Sequence, residues 1–261
     1  MNGEWVLITG ASAGIGREFS HIFAEHGHNL VLIARKEDRL TALASELAKK
    51  HSVKTMVLAK DLGMPGSAQE VFAELQRQNI PVSILINNAG FGTRGAFAKG
   101  DLKNFREMIE LNITSLVQLT HLFVQPMMKA GRGRILNVSS TAAFQPGPLM
   151  AIYYATKSFV SSFSYALGEE LIGSGVTVTT LCPGPTKTEF GARAGTVGHE
   201  RVQRSWTMEA RPVAEAGYKA LMSGKKVKIP GAVNWIGARL TRIAPKKLAS
   251  SIARKVIEGK K

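Results

Sequence analysis

Short apolar runs alternate with longer segments of helical periodicity over most of the chain. An apolar run of about four to eight residues is typical of a strand buried on both faces of a parallel sheet. Such runs occur at residues 5–8, 29–34, 55–59, 82–86, 135–138, 176–182 and 227–229. Between them, apolar residues recur at the spacing of helices that pack one face on a sheet. The pattern predicts an α/β fold: a Rossmann-type doubly wound parallel sheet of about seven strands with right-handed crossovers, in one domain over residues 1–230.

Two segments depart from this simple alternation. Residues 101–130 are predicted to form one long helix, and Pro126 should perturb its last turns because proline lacks a backbone N–H. Residues 189–211 have little periodicity and contain glycines at positions 191, 195 and 198. Irregular segments of this length often cover a ligand, so we expect a mobile lid here.

Residues 231–261 form a basic helical extension. Apolar residues lie on one side of a first helical segment, which Pro245 ends, and recur every four residues on a second. They are Trp235, Ile236, Leu240 and Ile243 in the first segment and Leu248, Ile252 and Val256 in the second. Such an amphipathic element packs on the sheet domain or on a second subunit, or lies on an anionic membrane surface. We favour packing and keep peripheral membrane contact as the alternative.

Composition limits the class of protein. The chain has 261 residues, of which 44% are hydrophobic and 20% charged, as in ordinary globular proteins. No apolar run has the length of a membrane-spanning helix, and no basic leader precedes an apolar stretch at the start. We therefore expect a cytoplasmic location, with peripheral membrane contact as the alternative. A single cysteine, Cys182, fits a reducing compartment. The six histidines lack metal-ligand spacing, and we predict no metal.

The net charge of +15 is mostly local. Residues 225–261 contain eleven Lys or Arg and one acid, Glu258, which gives +10 of the +15. A basic balance can indicate nucleic-acid binding. Because the rest of the chain is only mildly basic, we expect no nucleic-acid partner.

A glycine-rich turn follows the first strand and opens a helix. It contains Gly10, Gly14 and Gly16, with Ser12 and Ile15 between them. Where a strand, a glycine-rich turn and a helix follow one another, the free N–H groups and the helix dipole can bind the phosphates of a dinucleotide. A glycine-rich turn without other motifs is often only a turn.

The residue after the second strand bears on the choice of dinucleotide. An acid at that strand's end binds the ribose hydroxyls of NAD, whereas a cation suits the 2′-phosphate of NADP. Here the positions are Ala34 and Arg35, so NADP(H) is favoured, with the Ser12 hydroxyl as an additional contact. The other interpretation of Arg35 is a surface charge at the start of the next helix.

Three polar side chains are expected to meet after the fifth strand. Tyr153 and Lys157 are four residues apart and share a helix face, and the end of the strand would place Ser140 beside them. The lysine charge should lower the phenol pKa, which makes Tyr153 a candidate for proton transfer. A Tyr–Lys pair on a solvated face is the ordinary alternative.

Several motifs, in the same order along the chain, resemble the short-chain dehydrogenase/reductase family. They are Thr9–Gly16, Asn87-Asn88-Ala89-Gly90, Asn112, Ser140, Tyr153-x-x-x-Lys157 and Pro183-Gly184. The resemblance covers about residues 4–230. It implies a catalytic set in which Ser140 binds the substrate oxygen, Tyr153 passes the proton, Lys157 binds the nicotinamide ribose and Asn112 helps hold a water near the lysine.

The resemblance also assigns binding residues. The predicted cofactor-binding residues are Gly10, Ser12, Gly14, Ile15, Gly16, Arg35, Asp61, Leu62, Asn88, Ala89, Gly90, Tyr153, Lys157, Pro183, Gly184, Thr186 and Thr188. The predicted substrate-binding residues are Ser140 and the apolar side chains Phe91, Phe144, Leu149, Met150 and Phe190.

The sequence therefore predicts an NADP(H)-dependent oxidoreductase that interconverts a carbonyl and an alcohol on an apolar substrate, with reduction the expected direction. It is most similar to broad carbonyl reductases and to ketoacyl or steroid reductases, and the residues do not choose among these. The resemblance implies a homodimer or homotetramer. The alternative function is an NADP(H)-binding regulator or scaffold with little turnover, which would need the glycine turn but not the catalytic set.

Overall fold

The computed structural model describes residues 3–194 and 207–258. Its centre is a seven-stranded sheet with strand order β3-β2-β1-β4-β5-β6-β9, in which all neighbours are parallel. The strands are β1 (Trp5–Thr9), β2 (Asn29–Ala34), β3 (Thr55–Ala59), β4 (Val82–Asn87), β5 (Gly133–Val138), β6 (Val176–Leu181) and β9 (Val227–Lys228). A separate two-stranded ladder joins β7 (Thr186–Lys187) to β8 (Met208–Glu209). The predicted doubly wound parallel sheet is confirmed.

Helices connect the strands and cover both faces of the sheet. They are α1 (Gly14–Glu25), α2 (Glu37–His51), α3 (Ser67–Arg77), α4 (Leu102–Ile109), α5 (Ser115–Lys129), α6 (Ala151–Glu170), α7 (Phe190–Arg193), α8 (Ala210–Met222), α9 (Ala232–Ile243) and α10 (Lys246–Glu258). No helix in the described ranges is both long enough and apolar enough to cross a bilayer.

The sheet has a hydrophobic core on each face because successive strand residues point to opposite sides. Val6 and Ile8 pack in one core with Phe19 and Phe23 of α1. Leu7, between them, packs in the other core with residues of α3 and α5. All these side chains are fully buried or nearly so. The apolar runs of the sequence are therefore strands covered on both faces.

The predicted single helix over 101–130 is interrupted. The structure has α4, then one π-helical segment (Glu110–Thr114), then α5. Pro126 lies inside α5, yet the helix continues to Lys129, and the buried Met127 anchors its last turn. The expected perturbation thus occurs at Asn112 rather than at Pro126. A π segment is invisible to helical periodicity because it adds only one residue to a turn.

The segment predicted as a mobile lid, 189–211, is only partly described. It contains α7, strand β8 and the start of α8 at Ala210. Residues 195–206 lie outside the described part of the chain. The lid therefore stays a prediction.

The strand order reverses beside β1, which pairs with β2 on one side and with β4 on the other. In open α/β sheets, ligands bind at such a switch point, outside the carboxyl ends of the strands. The loops after β1, β2, β4, β5 and β6 meet at this edge.

Candidate active site

A cavity of about 1160 Å³ opens at the carboxyl edge of the sheet. With the exception of Gly16, every predicted cofactor-binding residue lines it. The loops after six strands, together with α6, contribute to its wall. The fold therefore brings together predicted cofactor-binding residues that are up to 178 positions apart in the sequence, from Gly10 to Thr188.

The glycine turn is tightly packed against the neighbouring loops. Gly10 has a φ of +67°, and a Cβ there would lie 2.8 Å from the Asn88 side-chain nitrogen. Gly14 has a φ of +53°, and its Cβ would lie 2.9 Å from Thr188 Cγ2. A Cβ on Gly16 would approach the Gly10 carbonyl oxygen to 2.3 Å, so this buried glycine shapes the turn without reaching the cavity. Asn88 supports the turn by donating a 2.9 Å hydrogen bond to the Thr9 carbonyl oxygen.

The turn leaves the start of α1 without a side-chain cap. Ala13 occupies the N-cap position with no capping hydrogen bond, and the first turn contains no acid. Free N–H groups and the positive end of the helix dipole therefore face the cavity beside Ser12 and Gly14. These residues fit the phosphates of a dinucleotide, because anions bind at such helix starts.

A basic cluster lies at the same end of the cavity. Arg35, Lys36, Arg39 and Lys60 all contribute to the wall. Arg35 is 3.6 Å from a carboxylate oxygen of Asp61, and Arg39 forms a 2.7 Å ion pair with Glu189 across the cavity. Of these four cations, only Arg35 was predicted from the sequence. The pattern Arg35-Lys36-x-x-Arg39 at the start of α2 could have indicated two of the others.

Tyr153 lies on the cavity wall against Phe190, with 5.3 Å between the ring centres. Burial raises the pKa of Tyr153 to about 12, although the neighbouring Ser140 side chain acts in the opposite direction. The expected lowering of this pKa by the lysine is therefore wrong, because burial dominates. At neutral pH the phenol is protonated and can donate.

Lys157 is buried, with 5% of its surface exposed. Its ammonium nitrogen donates a 2.9 Å hydrogen bond to the Val138 carbonyl oxygen and lies 5.9 Å from the centre of the Tyr153 ring. Burial lowers the pKa of Lys157 to about 8. Charging this lysine therefore costs free energy that an anionic or hydroxyl-rich ligand could offset.

Asn112 is buried in the π-helical segment and does not reach the cavity wall. Its amide oxygen accepts from the Phe91 N–H at 3.0 Å, and its nitrogen donates to the Phe91 carbonyl and to Thr156 Oγ1. Thr156 in turn donates to the Tyr153 carbonyl oxygen at 2.8 Å. The side chain thus connects the loop after β4 to the backbone of the Tyr153 turn. Its expected part in holding a water stays a prediction.

The two serines after β5 have different surroundings. Ser140 Oγ accepts from the Ala142 N–H and donates to the Pro183 carbonyl at 3.4 Å. Ser139 Oγ instead donates to the Lys157 carbonyl oxygen at 2.8 Å and contacts Ser161. Of the two, Ser140 therefore reaches Tyr153, while Ser139 fixes the backbone of α6.

The predicted substrate residues are not all brought together. Met150 and Phe190 line the main cavity. Leu149, which has a left-handed φ of +67°, lines a smaller neighbouring cavity of about 170 Å³. Phe91 is buried, and Phe144 lies in the 3-10 turn Thr141–Phe144; neither forms part of the main wall. The assignment of these side chains to substrate stays a prediction.

Comparison with known proteins identifies the family. The short chain dehydrogenase family model matches residues 4–196. This chain belongs to the short-chain dehydrogenase family. It is 41% identical to sulfoacetaldehyde reductase 2 of Chromohalobacter salexigens over 187 residues, 71% of this chain and 73% of that one. The family uses nicotinamide cofactors, so the dehydrogenase is an oxidoreductase.

Two further relatives extend the comparison. The dehydrogenase is 35% identical to the human very-long-chain 3-oxoacyl-CoA reductase over 187 residues, which are 69% of this chain and only 59% of that protein. It is therefore similar to less than two thirds of that relative's length. Its fold matches a short-chain dehydrogenase from Sphingobium yanoikuyae in complex with NADPH, with 36% identity, a TM-score of 0.82, and coverage of 92% of this chain and 93% of the other.

The C-terminal helices of the dehydrogenase lie beyond the matched residues but form part of the site. Several of their residues line the cavity: Val233, Asn234, Gly237, Ala238, Thr241, Val256 and Ile257. A Cβ on Gly184 would lie 2.2 Å from Asn234 Oδ1, so α9 packs directly on the loop after β6. The sequence predicts a catalytic domain that ends at residue 230, with residues 231–261 as an extension. This boundary stays a prediction, and α9, which lies beyond it, still lines the cavity.

Proposed function

We propose that this dehydrogenase is an NADPH-dependent carbonyl reductase. The observation that carries the proposal is that the Tyr153 and Ser140 side chains are neighbours on the wall of a cavity that also contains the glycine turn at the start of α1. Two hydroxyl groups at one point can hold a carbonyl oxygen. A protonated phenol at that point can donate a proton to the oxygen as negative charge develops on it.

Each residue then has a distinct task. Ser140 donates a hydrogen bond to the substrate oxygen, and the Tyr153 hydroxyl passes its proton to the same atom. Lys157 binds the ribose next to the nicotinamide with its buried ammonium group. Asn112 is a positioning residue, since it acts through the backbone of Phe91 and through Thr156. The bound cofactor supplies the hydride.

The basic cluster supports NADP(H) as the cofactor. Arg35, Lys36 and Arg39 present cations where a 2′-phosphate is expected, next to the end of β2. The relative from Sphingobium yanoikuyae is described in complex with NADPH. Asp61 pairs with Arg35 and Glu189 pairs with Arg39, while Lys36 lies on the same wall.

The wall around Tyr153 favours an apolar carbonyl substrate. Phe190 packs against Tyr153, and Met150, Val233, Ala238 and Val256 contribute apolar surface to the same cavity. One relative is named for a small sulfonated aldehyde and the other for very long acyl chains, so the two names indicate substrates of opposite polarity. The apolar wall of the cavity agrees with the acyl-chain substrate.

A substrate panel tests this function. NADPH oxidation should be followed with aliphatic, aromatic and acyl-thioester ketones and with sulfoacetaldehyde. We expect turnover with apolar ketones and a much lower kcat/KM with sulfoacetaldehyde. Tight NADPH binding without turnover on any member would instead favour the regulator or scaffold alternative. Sedimentation of the same protein tests the expected homodimer or homotetramer.

A further inference from the structure

The two C-terminal helices bury their small residues and expose their large apolar ones. In α9, Ala238 and Asn234 are buried, while Ile236, Leu240 and Ile243 are 50%, 57% and 83% exposed. In α10, the buried residues are Ala249 and Ala253, and the exposed ones are Leu248, Ile252 and Val256 at 53%, 52% and 38%. Apart from Val256, which also lines the cavity, the apolar stripes seen in the sequence therefore do not pack on the rest of this chain.

Cations surround these stripes. Arg239, Lys246, Lys247, Arg254 and Lys255 are all exposed. Arg254 pairs with Glu258 at 2.8 Å, and the three lysines form no ion pair within residues 207–258 or with residues 3–194. The guanidinium of Arg239 lies 4.2 Å from the centre of the Trp235 ring, which is itself 43% exposed. Exposed apolar stripes rimmed by charged residues mark an interaction surface.

We propose that α9 and α10 dock on an anionic membrane surface. Apolar side chains enter the boundary between headgroups and acyl chains, and neighbouring cations meet acidic headgroups, as in interfacial amphipathic helices. A tryptophan with a cation on its ring suits the same boundary. The opposite faces of both helices border the catalytic cavity through residues such as Val233, Ala238 and Ile257. Docking would therefore place the cavity near the bilayer.

The positive charge of this surface favours an anionic membrane over a second copy of the chain as its partner. Residues 225–261 hold eleven Lys or Arg and one acid. A two-fold interface built on this surface would bring like charges face to face, which is unfavourable. An anionic surface neutralises them. Each cation near an acidic leaflet strengthens binding about fivefold, an effect that fades with salt.

Co-sedimentation with vesicles tests the proposal on the full chain. Truncation is unsuitable because α9 packs on Gly184 in the site. We expect binding to vesicles with about 30% phosphatidylserine in low salt and weak binding to pure phosphatidylcholine. Replacing the exposed apolar residues together, as Ile236→Ser, Leu240→Ser and Ile252→Ser, should weaken partitioning at least about tenfold. Lys246→Gln, Lys247→Gln and Lys255→Gln together should weaken it on the order of a hundredfold at low salt.

Matched controls lie elsewhere on the surface. Leu102 and Ile172 are each 69% exposed, and Leu102→Ser with Ile172→Ser should leave partitioning unchanged. Lys49→Gln, Lys50→Gln and Lys103→Gln should do the same. Trp235 emission should shift to the blue on adding anionic vesicles, and the shift should vanish in Trp235→Phe. Full-length protein that ignores anionic vesicles at low salt overturns the proposal.

Two other outcomes also contradict it. If the serine variants bind vesicles as the parent does, the helices are not the docking element. If those variants instead convert a dimer into a monomer, a second copy covers the stripes. Vesicle binding is measured without substrate, so it stands or falls independently of the reductase activity.

Discussion

The ammonium nitrogen of Lys157 donates a hydrogen bond to the Val138 carbonyl oxygen while lying 5.9 Å from the centre of the Tyr153 ring. The two residues share a face of α6, as their spacing requires. Burial dominates the titration of both: it raises the pKa of Tyr153 to about 12 and lowers that of Lys157 to about 8. At neutral pH the site therefore holds a neutral phenol beside a lysine whose charge is costly.

Replacing the phenol hydroxyl should remove proton transfer. We expect Tyr153→Phe to lower kcat by about 10²–10⁴-fold, because a positioned general acid contributes that much. NADPH affinity should change little, since the ring remains. Tyr154→Phe is the matched control: Gln145, rather than Ser140, is the side chain that acts on the Tyr154 hydroxyl, so the effect on kcat should be far smaller. Equal losses in the two variants, measured by steady-state kinetics, would remove Tyr153 from this role.

Removing the buried charge should stabilise the protein in the absence of cofactor. The folded-state pKa of Lys157 is lowered from 10.5 to about 8. The cost of the charge is therefore fully present below about pH 8, declines as the pH rises towards 10.5, and is absent above it. We expect Lys157→Met to raise the free energy of unfolding at pH 7 by about 1–3 kcal/mol, after allowing for the lost hydrogen bond to Val138.

Urea denaturation at pH 7 and near pH 10.5 measures this gain, which should vanish at the higher pH. The same variant should lose both NADPH affinity and turnover. Lys226→Met is the control, because Lys226 is exposed and pairs with Glu169. A Lys157→Met protein that is less stable than its parent at pH 7 would show that the bond to Val138 outweighs the burial of the charge.

Reversing the charge after β2 should change the cofactor preference. Arg35→Asp removes a cation from the basic end of the cavity and supplies a carboxylate that suits ribose hydroxyls. We expect NADPH binding to weaken by about 1–3 kcal/mol and NADH binding to improve. Arg132→Asp, at the opposite end of the sheet before β5, is the control and should alter neither. Unchanged selectivity in fluorescence titrations of both cofactors would contradict the assignment.

A methyl group at Gly90 should disturb the site from within. Its Cβ would lie 2.9 Å from Asn112 Oδ1 and 3.5 Å from the Lys157 ammonium nitrogen. Asn112 cannot move aside cheaply because Phe91 and Thr156 hold its amide group. We expect Gly90→Ala to cost about 1–3 kcal/mol of stability and to lower kcat/KM.

Gly168→Ala, on α6, should have the opposite effect on stability. The new Cβ would meet Val178 at an ordinary 3.7 Å, so the helix should gain about 0.5–1 kcal/mol. Thermal unfolding and kinetics of both variants decide this. Similar stability for Gly90→Ala and its parent would mean that Asn112 is not held as the structure describes.

The order of strands and helices and the site motifs followed from the sequence because each rests on local chemistry. A buried parallel strand needs an apolar run wherever it lies, and the tight turn before α1 needs glycines at positions such as Gly10 and Gly14, where φ is positive. The spacing of Tyr153 and Lys157 fixes their common helix face without any tertiary contact.

Properties that depend on burial and on contacts between distant residues could be read only from the tertiary structure. The direction of the Tyr153 pKa depends on how much water the folded cavity excludes, and Arg39 meets Glu189 only after residues 150 positions apart are brought together. The π segment around Asn112 has no periodic signature. Both C-terminal helices were amphipathic in the sequence, but an apolar stripe does not specify which side the fold covers. The fold buries Ala238 and Ala253, which pack closely, and leaves Leu240 and Ile252 exposed.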